Sequence, residues 1–300
     1  MAQGYASEAY ARSFAEEAEI MLLAGCRGYL LLRPIAGSPY RDAAGCYPVF
    51  CCEAWGGLAS DVQKLPGDLV TLTLVTDPLC DLSRVDLADI FDIVRPLSDH
   101  YIIDLASPQK PARHHRRKIR QALRSGSRII IEDEPAAFLQ RWLGLYSTLV
   151  ARRRISGLRR FSPSIFAAQL EVPGAAIVSC WSGSTLLGAD WYYQQGERVY
   201  AHLSSYSEEG YAVGASYGML AAAIDYFKPR ASVIDLGGVP RLTGSGTEGL
   251  RHFKSGWTKC TLSTYLCGIE GMPDEYRRLN GGRMPAASEF FPLYRLGDYG

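Results

Sequence analysis

In the stretch DLGGVPRLTGSGTEGLRHFKSGW, residues 235–257, a strand-like run ends in paired glycines, a Gly-, Ser- and Thr-rich loop follows, and Phe253-Lys254 stand side by side just beyond it. A lysine set against an aromatic next to a buried strand calls for a chemical reason. A second set of chemistry-bearing residues is rich in arginine. Arg113, Arg116 or Arg117, Arg120 and Arg124 recur on one stripe at helical spacing, with Lys118 among them and Ile119 and Leu123 opposite. Arg152, Arg153 and Arg154, with Arg159 and Arg160, form another cluster. Arginine in preference to lysine suits two-pronged contact with phosphate, and few carboxylates lie nearby in sequence. A solvated surface face is the plainer reading of the same run. Contacts of this kind position a nucleic-acid backbone without reading its bases.

The charge is local. Residues 1–110 carry a net −7, residues 111–160 a net +10 and the remainder −2, so a chain of net charge +1 hides a strongly basic band. Such a band attracts an anionic partner even on a nearly neutral protein. With 300 residues, 47% hydrophobic and 21% charged, the chain has the composition of a soluble protein of two domains or one large α/β unit. No apolar run approaches the ~20 residues that a membrane helix needs, and the first residues lack the basic-then-apolar order of a secretory signal, so no membrane insertion and a cytoplasmic location are expected. The eight cysteines show no C-x-x-C spacing and read as small buried thiols in a reducing compartment.

The elements that must hold these residues alternate between helix and strand, which argues for an α/β protein with a mixed sheet. Residues 5–24 read as an amphipathic helix, GYLLLRPI as a strand, AGSPYRDAAGCYP as a loop, LVTLTLVT as a buried strand and HYIIDL as another. ASPQKPAR, 106–113, with two prolines, marks a domain boundary; a basic helix to Gly126, the strand RIIIEDE and a long helix over 135–153 follow it. AAIVSCWSGSTLLGADWYYQQGERVYAHLSSYS reads as consecutive antiparallel strands turning at SGS and QQGE. GASYGMLAAAIDYFKP is an alanine-rich helix, and SVIDLGG and TLSTYLCGI are strands. The expected organisation is an N-terminal α/β domain over 1–110, a second domain over 111–270 and a surface tail over 271–300.

The order and spacing of RRKIRQALRSG, LLGADWYYQQGERVYAHLSSYSEEG, GASYGMLAAAIDYF, IDLGG and GLRHFKSGW across 113–268 resemble the GNAT superfamily of acyltransferases. The resemblance is nearer to its Fem-type branch, which includes aminoacyl-tRNA-dependent ligases. It implies a GNAT-like fold in the second half, preceded by a smaller, diverged GNAT-like companion. It implies an N-acyltransferase that moves an aminoacyl group from aminoacyl-tRNA to an amine, on a cell-wall precursor or a small metabolite, with no cofactor. The Phe-Lys pair of that branch lies at the reacting carbonyl, and FKSGW matches its pattern. Lys254 would then stabilise the oxyanion formed as the amine attacks, with Phe253 beside it and VPRLTGSGTEG as a lid. His202, on the strand that borders the acyl group in these folds, is the candidate proton acceptor, and Asp235 the candidate holder of the incoming ammonium.

The superfamily also binds coenzyme A phosphates on backbone amides at a helix start, in the pattern Gln/Arg-x-x-Gly-x-Gly/Ala. YAVGAS is the matching segment, with Tyr211 in the first place and Gly214, Ala215 and Ser216 in the rest, so an acyl-coenzyme A donor is the alternative. A non-catalytic RNA-binding protein is a second alternative. GSGTEGLRHFK lacks the order of a P-loop, GASYG opens a helix without the strand a nucleophile elbow requires, and no cluster has metal-ligand spacing.

Overall fold

A computed structural model describes residues 2–153, 160–239, 247–282 and 290–299. The chain forms two compact units, one of residues 1–97, 156–161 and 263–300, the other of residues 98–155 and 162–262. Residues 156–161 apart, it passes from the first to the second within a strand and returns within another, so the proline-rich segment 106–113 lies inside the second unit.

The first unit is built on β1 (Glu19–Leu23), β2 (Gly28–Pro34), β3 (Arg41–Gly45), β4 (Leu69–Val75) and β11 (Thr261–Glu270), side by side in that order. The β1–β2–β3 meander is antiparallel, β3 and β4 are parallel, and β4 pairs antiparallel with β11. Its helices are α1 (Glu8–Arg12), α2 (Leu58–Val62), α3 (Arg84–Ile90) and α10 (Pro273–Leu279). Leu30, Phe50, Leu58, Leu72, Leu74 and Leu87 fill its core.

Several expectations change here. The helix expected over 5–24 is the five-residue α1 followed by β1, because 19–23 form a ladder with β2 that the local helical period does not reveal. The expected loop at AGSPYRDAAGCYP contains β3, paired on both sides. Within the segment expected on the surface, Tyr276 and Phe291 are fully buried against Val70 and Ile35.

The second unit places β5 (Ile93–Asp104, from Ser98 on), β10 (Val233–Gly238), β9 (Arg198–Tyr206), β8 (Thr185–Gln195), β7 (Ala175–Ser182) and β6 (Arg128–Glu132) in that order. Only β9 and β10 are parallel. Its helices are α4 (Arg113–Arg124), α5 (Leu139–Arg153), α6 (Pro163–Leu170), α7 (Glu208–Val213), α8 (Ala215–Phe227) and α9 (Thr247–Ser255). The expected basic helix, the 135–153 helix, the consecutive hairpins and the alanine-rich helix are all present; α9 occupies residues that had been read as lid and loop. Met219, Leu220, Ala223 and Phe227 of α8 pack on Val178, Tyr192, Val199 and Ile234 of the sheet. Burying each large side chain there contributes roughly 1.5–3 kcal/mol. Trp142 and Phe166, from α5 and α6, pack against Trp191.

The two units share a plan: three antiparallel strands, a helical crossover, then a parallel strand, as in β1–β2–β3–α2–β4 and β7–β8–β9–α7–α8–β10. Among the described residues no helix is long and apolar enough to cross a membrane.

Candidate active site

The parallel ladder of β9 and β10 stops at the pair Tyr200 and Asp235. Beyond it β9 stays with β8 as far as Tyr206, while β10 stays with β5 through a bulge between Asp235 and Gly238. The two strands therefore part at their C-terminal ends, freeing backbone groups for a ligand. Gly237 sits at φ 77° within the bulge, a left-handed conformation that a side chain would strain.

Lys254 reaches this parting from α9. Its Nζ donates to the carbonyl oxygen of Gly238 at 2.7 Å, and a Cβ on Gly237 would stand 3.4 Å from it. The side chain is buried, and burial pushes its pKa from 10.5 down to about 8 against the pull of Asp235. An ammonium with one hydrogen-bond acceptor and two spare donors is thus fixed where the strands separate. Asp235 does not pair with Lys254. One of its oxygens accepts the N–H of Gly237 at 2.7 Å, and the other accepts Nδ1–H of His100 at 2.7 Å. His100 is a site residue that sequence reasoning missed; only the register that sets it opposite Gly238 brings it there.

Phe253 is half-buried and packs edge-on against Tyr217, with ring centroids 5.1 Å apart. Its carbonyl accepts Nε2–H of His115 at 2.8 Å. His115 is fully buried, its pKa lowered chiefly by that burial, and its Nδ1 has no hydrogen-bond partner. Gly256 makes this junction possible, because a Cβ there would stand 2.0 Å from the His115 ring. The start of α4 and the end of α9 are joined as well by the Ala112 N–H, which donates to Gly256 O at 2.8 Å.

The structure does not gather all the expected site residues. His202 belongs to the aromatic layer of Trp191 and Tyr193, with Nε2 3.3 Å from Gln169 Oε1. Burial drives its pKa down to about 3, so it is neutral at pH 7 and a poor proton acceptor. Asp190, on β8, takes the hydroxyl of Tyr206 and is fully enclosed; burial raises its pKa to about 6 against that hydrogen bond.

The YAVGAS segment is a joint between two helices. Gly214 is left-handed, its N–H donates back to the carbonyls of Gly210 and Tyr211 in α7, and Ala215 is fully buried at the start of α8. Tyr211 is exposed and carries the Arg152 guanidinium 4.4 Å above its ring. Arg152 also lines a cleft of about 690 Å³ with Ser147, Thr148, Tyr206 and Glu208.

On α4, Arg113, Arg117, Arg120 and Arg124 are exposed. Arg116 is half-buried with its Nη1 on Pro111 O at 2.7 Å, and Lys118 donates to Gln121 Oε1 at 3.1 Å. The side chain of Arg153, and Arg154, Arg159 and the segment 240–246 of the expected lid, lie outside the described residues.

Comparison with known proteins agrees with this fold. A family model described as an acetyltransferase (GNAT) domain matches residues 109–254. The C-terminal domain of an Agrobacterium fabrum protein described as a lysylphosphatidylglycerol synthetase is 12% identical, with 95% of each chain covered and a TM-score of 0.67. FemX is 13% identical, with 91% of this chain and 93% of that one covered and a TM-score of 0.67. L-PGS from Bacillus licheniformis is 15% identical, with coverage of 91% and 96% and a TM-score of 0.57. At these identities the likeness is one of fold. No curated protein sequence matches.

Proposed function

We propose that this chain, whose residues 109–254 form a GNAT-type acyltransferase domain, moves an aminoacyl group from aminoacyl-tRNA to an amine acceptor. The observation that carries the reading is Lys254, buried, tethered to Gly238 O at 2.7 Å and set where β9 and β10 part. An acyl ester whose carbonyl oxygen meets the spare ammonium donors is attacked by the acceptor nitrogen. The new N–C bond forms as charge collects on that oxygen, and Lys254 stabilises it. The intermediate then collapses: the ester C–O bond breaks, the ribose hydroxyl leaves, and the proton lost by nitrogen ends on the leaving oxygen. An activated ester asks for little further acid–base help, which fits a site where the imidazole of His100 is already committed to Asp235.

The exposed arginines of α4 support a polyanionic donor. The joint at Gly214 speaks in the same direction, since its amide is spent within α7 and is not offered to a phosphate. One structural relative is described as a lysylphosphatidylglycerol synthetase, and a hydroxyl acceptor would use the same ammonium and the same leaving group. An acyl-coenzyme A donor remains the second reading, favoured by the acetyltransferase description of the matching family.

The test is equilibrium binding of charged tRNA and of acetyl-coenzyme A to the purified protein at two salt concentrations. Charged tRNA is expected to bind with an affinity that falls steeply with salt as counterions are released. Binding of acetyl-coenzyme A alone overturns the tRNA reading.

A further inference from the structure

The junction of α4 with α9 does more than hold Phe253. It sets the rings of His114 and His252 5.5 Å apart, at an angle of 62°, with His114 6.1 Å from Tyr217. His114 is half-buried and His252 is exposed, so both rings remain accessible. The charges that act on His114 are Arg117, His252 and Lys118, all positive; after burial they are what lowers its pKa. His115, behind them, faces His114, His252 and Lys259. Glu248, four residues before His252, is the one carboxylate on α9, and among the described residues it makes no ion pair with any of these imidazoles. Two adjacent imidazoles among other cations repel each other when both are protonated. An anion placed across their edges reverses that balance and takes up protons as it binds.

The ligand class follows from what continues the patch. Arg113, Arg117, Arg120 and Arg124 run along the exposed side of α4 at three- and four-residue steps, or about 4.5–6 Å of rise each. A single carboxylate has nothing to place on such a row, whereas a strand of phosphodiesters has a charge for each position.

We propose that His114 and His252 form a proton-coupled phosphate clamp for the donor RNA at the junction of α4 and α9. This inference rests on the aminoacyl-tRNA reading and adds to it a residue pair and a pH dependence.

Uncharged tRNA serves as the probe, with affinity measured at pH 6 and pH 8 at one salt concentration for the wild type and for a His114→Gln/His252→Gln variant. The wild type is expected to bind about tenfold more weakly at pH 8, because the imidazoles lose their protons as pH rises. The variant is expected to bind at pH 6 as weakly as the wild type does at pH 8, with little change between the two. Neither substitution removes a hydrogen bond described here, and an unchanged melting temperature shows that the variant is folded. If tRNA binds with the same pH slope in both proteins, the clamp is wrong and the donor assignment stands. If tRNA binds neither protein at either pH, both fail.

Discussion

Buried charge is handled differently around Asp42 and Asp61 in the first unit and around Lys254 and Asp190 in the second. In the first, Asp42 is wholly enclosed and fully answered: Arg33 donates to it at 3.0 Å, Arg295 at 2.8 Å and the Tyr294 hydroxyl at 3.1 Å. Asp61 is held by the N–H groups of Gly25 and Cys26 at 2.8 and 2.7 Å; burial pushes its pKa up, and those bonds, with the Cys26 thiol and Lys64, more than reverse the push. In the second unit Lys254 has one carbonyl partner, His115 leaves a ring nitrogen without one, and Asp190 is raised by burial despite its hydroxyl donors. A buried ion costs several kcal/mol unless it is paired, so the first arrangement holds structure and the second keeps polar groups ready for something else. Perturbed groups at the parting of two strands are where chemistry is expected.

The comparison predicts separable effects. Asp42→Ala strands two mostly buried guanidiniums and should cost about 3–5 kcal/mol of stability in urea unfolding, while the protein that stays folded keeps its transfer rate. A rate that drops along with stability would show that this closed network also serves the reaction. Lys254→Met should do the reverse. Transfer should slow by about 10²–10³-fold with loss of the oxyanion partner, while stability at pH 7 rises by about 1–3 kcal/mol as a poorly paired ammonium leaves the interior. The sign of the pH dependence follows from a folded pKa of about 8 against 10.5 for the free side chain. Between those values the unfolded chain binds more protons, so wild-type stability climbs from pH 8 to 10.5, and the variant lacks that climb. Activity moves the other way. With an acceptor that is neutral throughout, the single-turnover rate should fall about tenfold from pH 7 to pH 9 as Lys254 loses its proton. A flat profile would remove the ammonium from the mechanism.

What could be seen in the sequence follows the same division between local and distant. The hairpins β7 to β9 announce themselves by apolar runs broken at glycine turns, α8 by its apolar face, and β10 by an apolar run ending at Gly237-Gly238. The segment carrying Phe253 and Lys254 stood out by residue type alone. His100 did not, because nothing around SDHYIID marks it; a ladder to a strand 135 residues away brings it to Asp235. The expected boundary at 106–113 came from proline content, whereas the chain changes units inside β5 and β11, where the sequence is ordinary strand. The stretch 5–24 shows the same limit, since pairing with β2 decides the conformation of residues 19–23.

The smallest predicted effect bears on where the second unit's readiness ends. His202 is half-buried and titratable, yet its ring lies 5.2 Å from Trp191 and 5.0 Å from Tyr193 and holds to Gln169 at 3.3 Å. Its pKa, driven to about 3 by burial, leaves it uncharged at every pH where transfer is measured. Replacing it with phenylalanine keeps an aromatic ring in an aromatic cage and removes the ring's polar contacts, the bond to Gln169 among them, for a stability cost of about 1–2 kcal/mol. The transfer rate should stay within about twofold, because a ring that cannot take a proton near pH 7 contributes none to the reaction. Removal of a working general base costs roughly 10²–10⁴-fold. A loss of that size in the phenylalanine variant, with the melting temperature held, would return His202 to the reacting centre. It would also mean that the aromatic layer under α5 and α6, and not the parting of β9 and β10 alone, contains the acceptor.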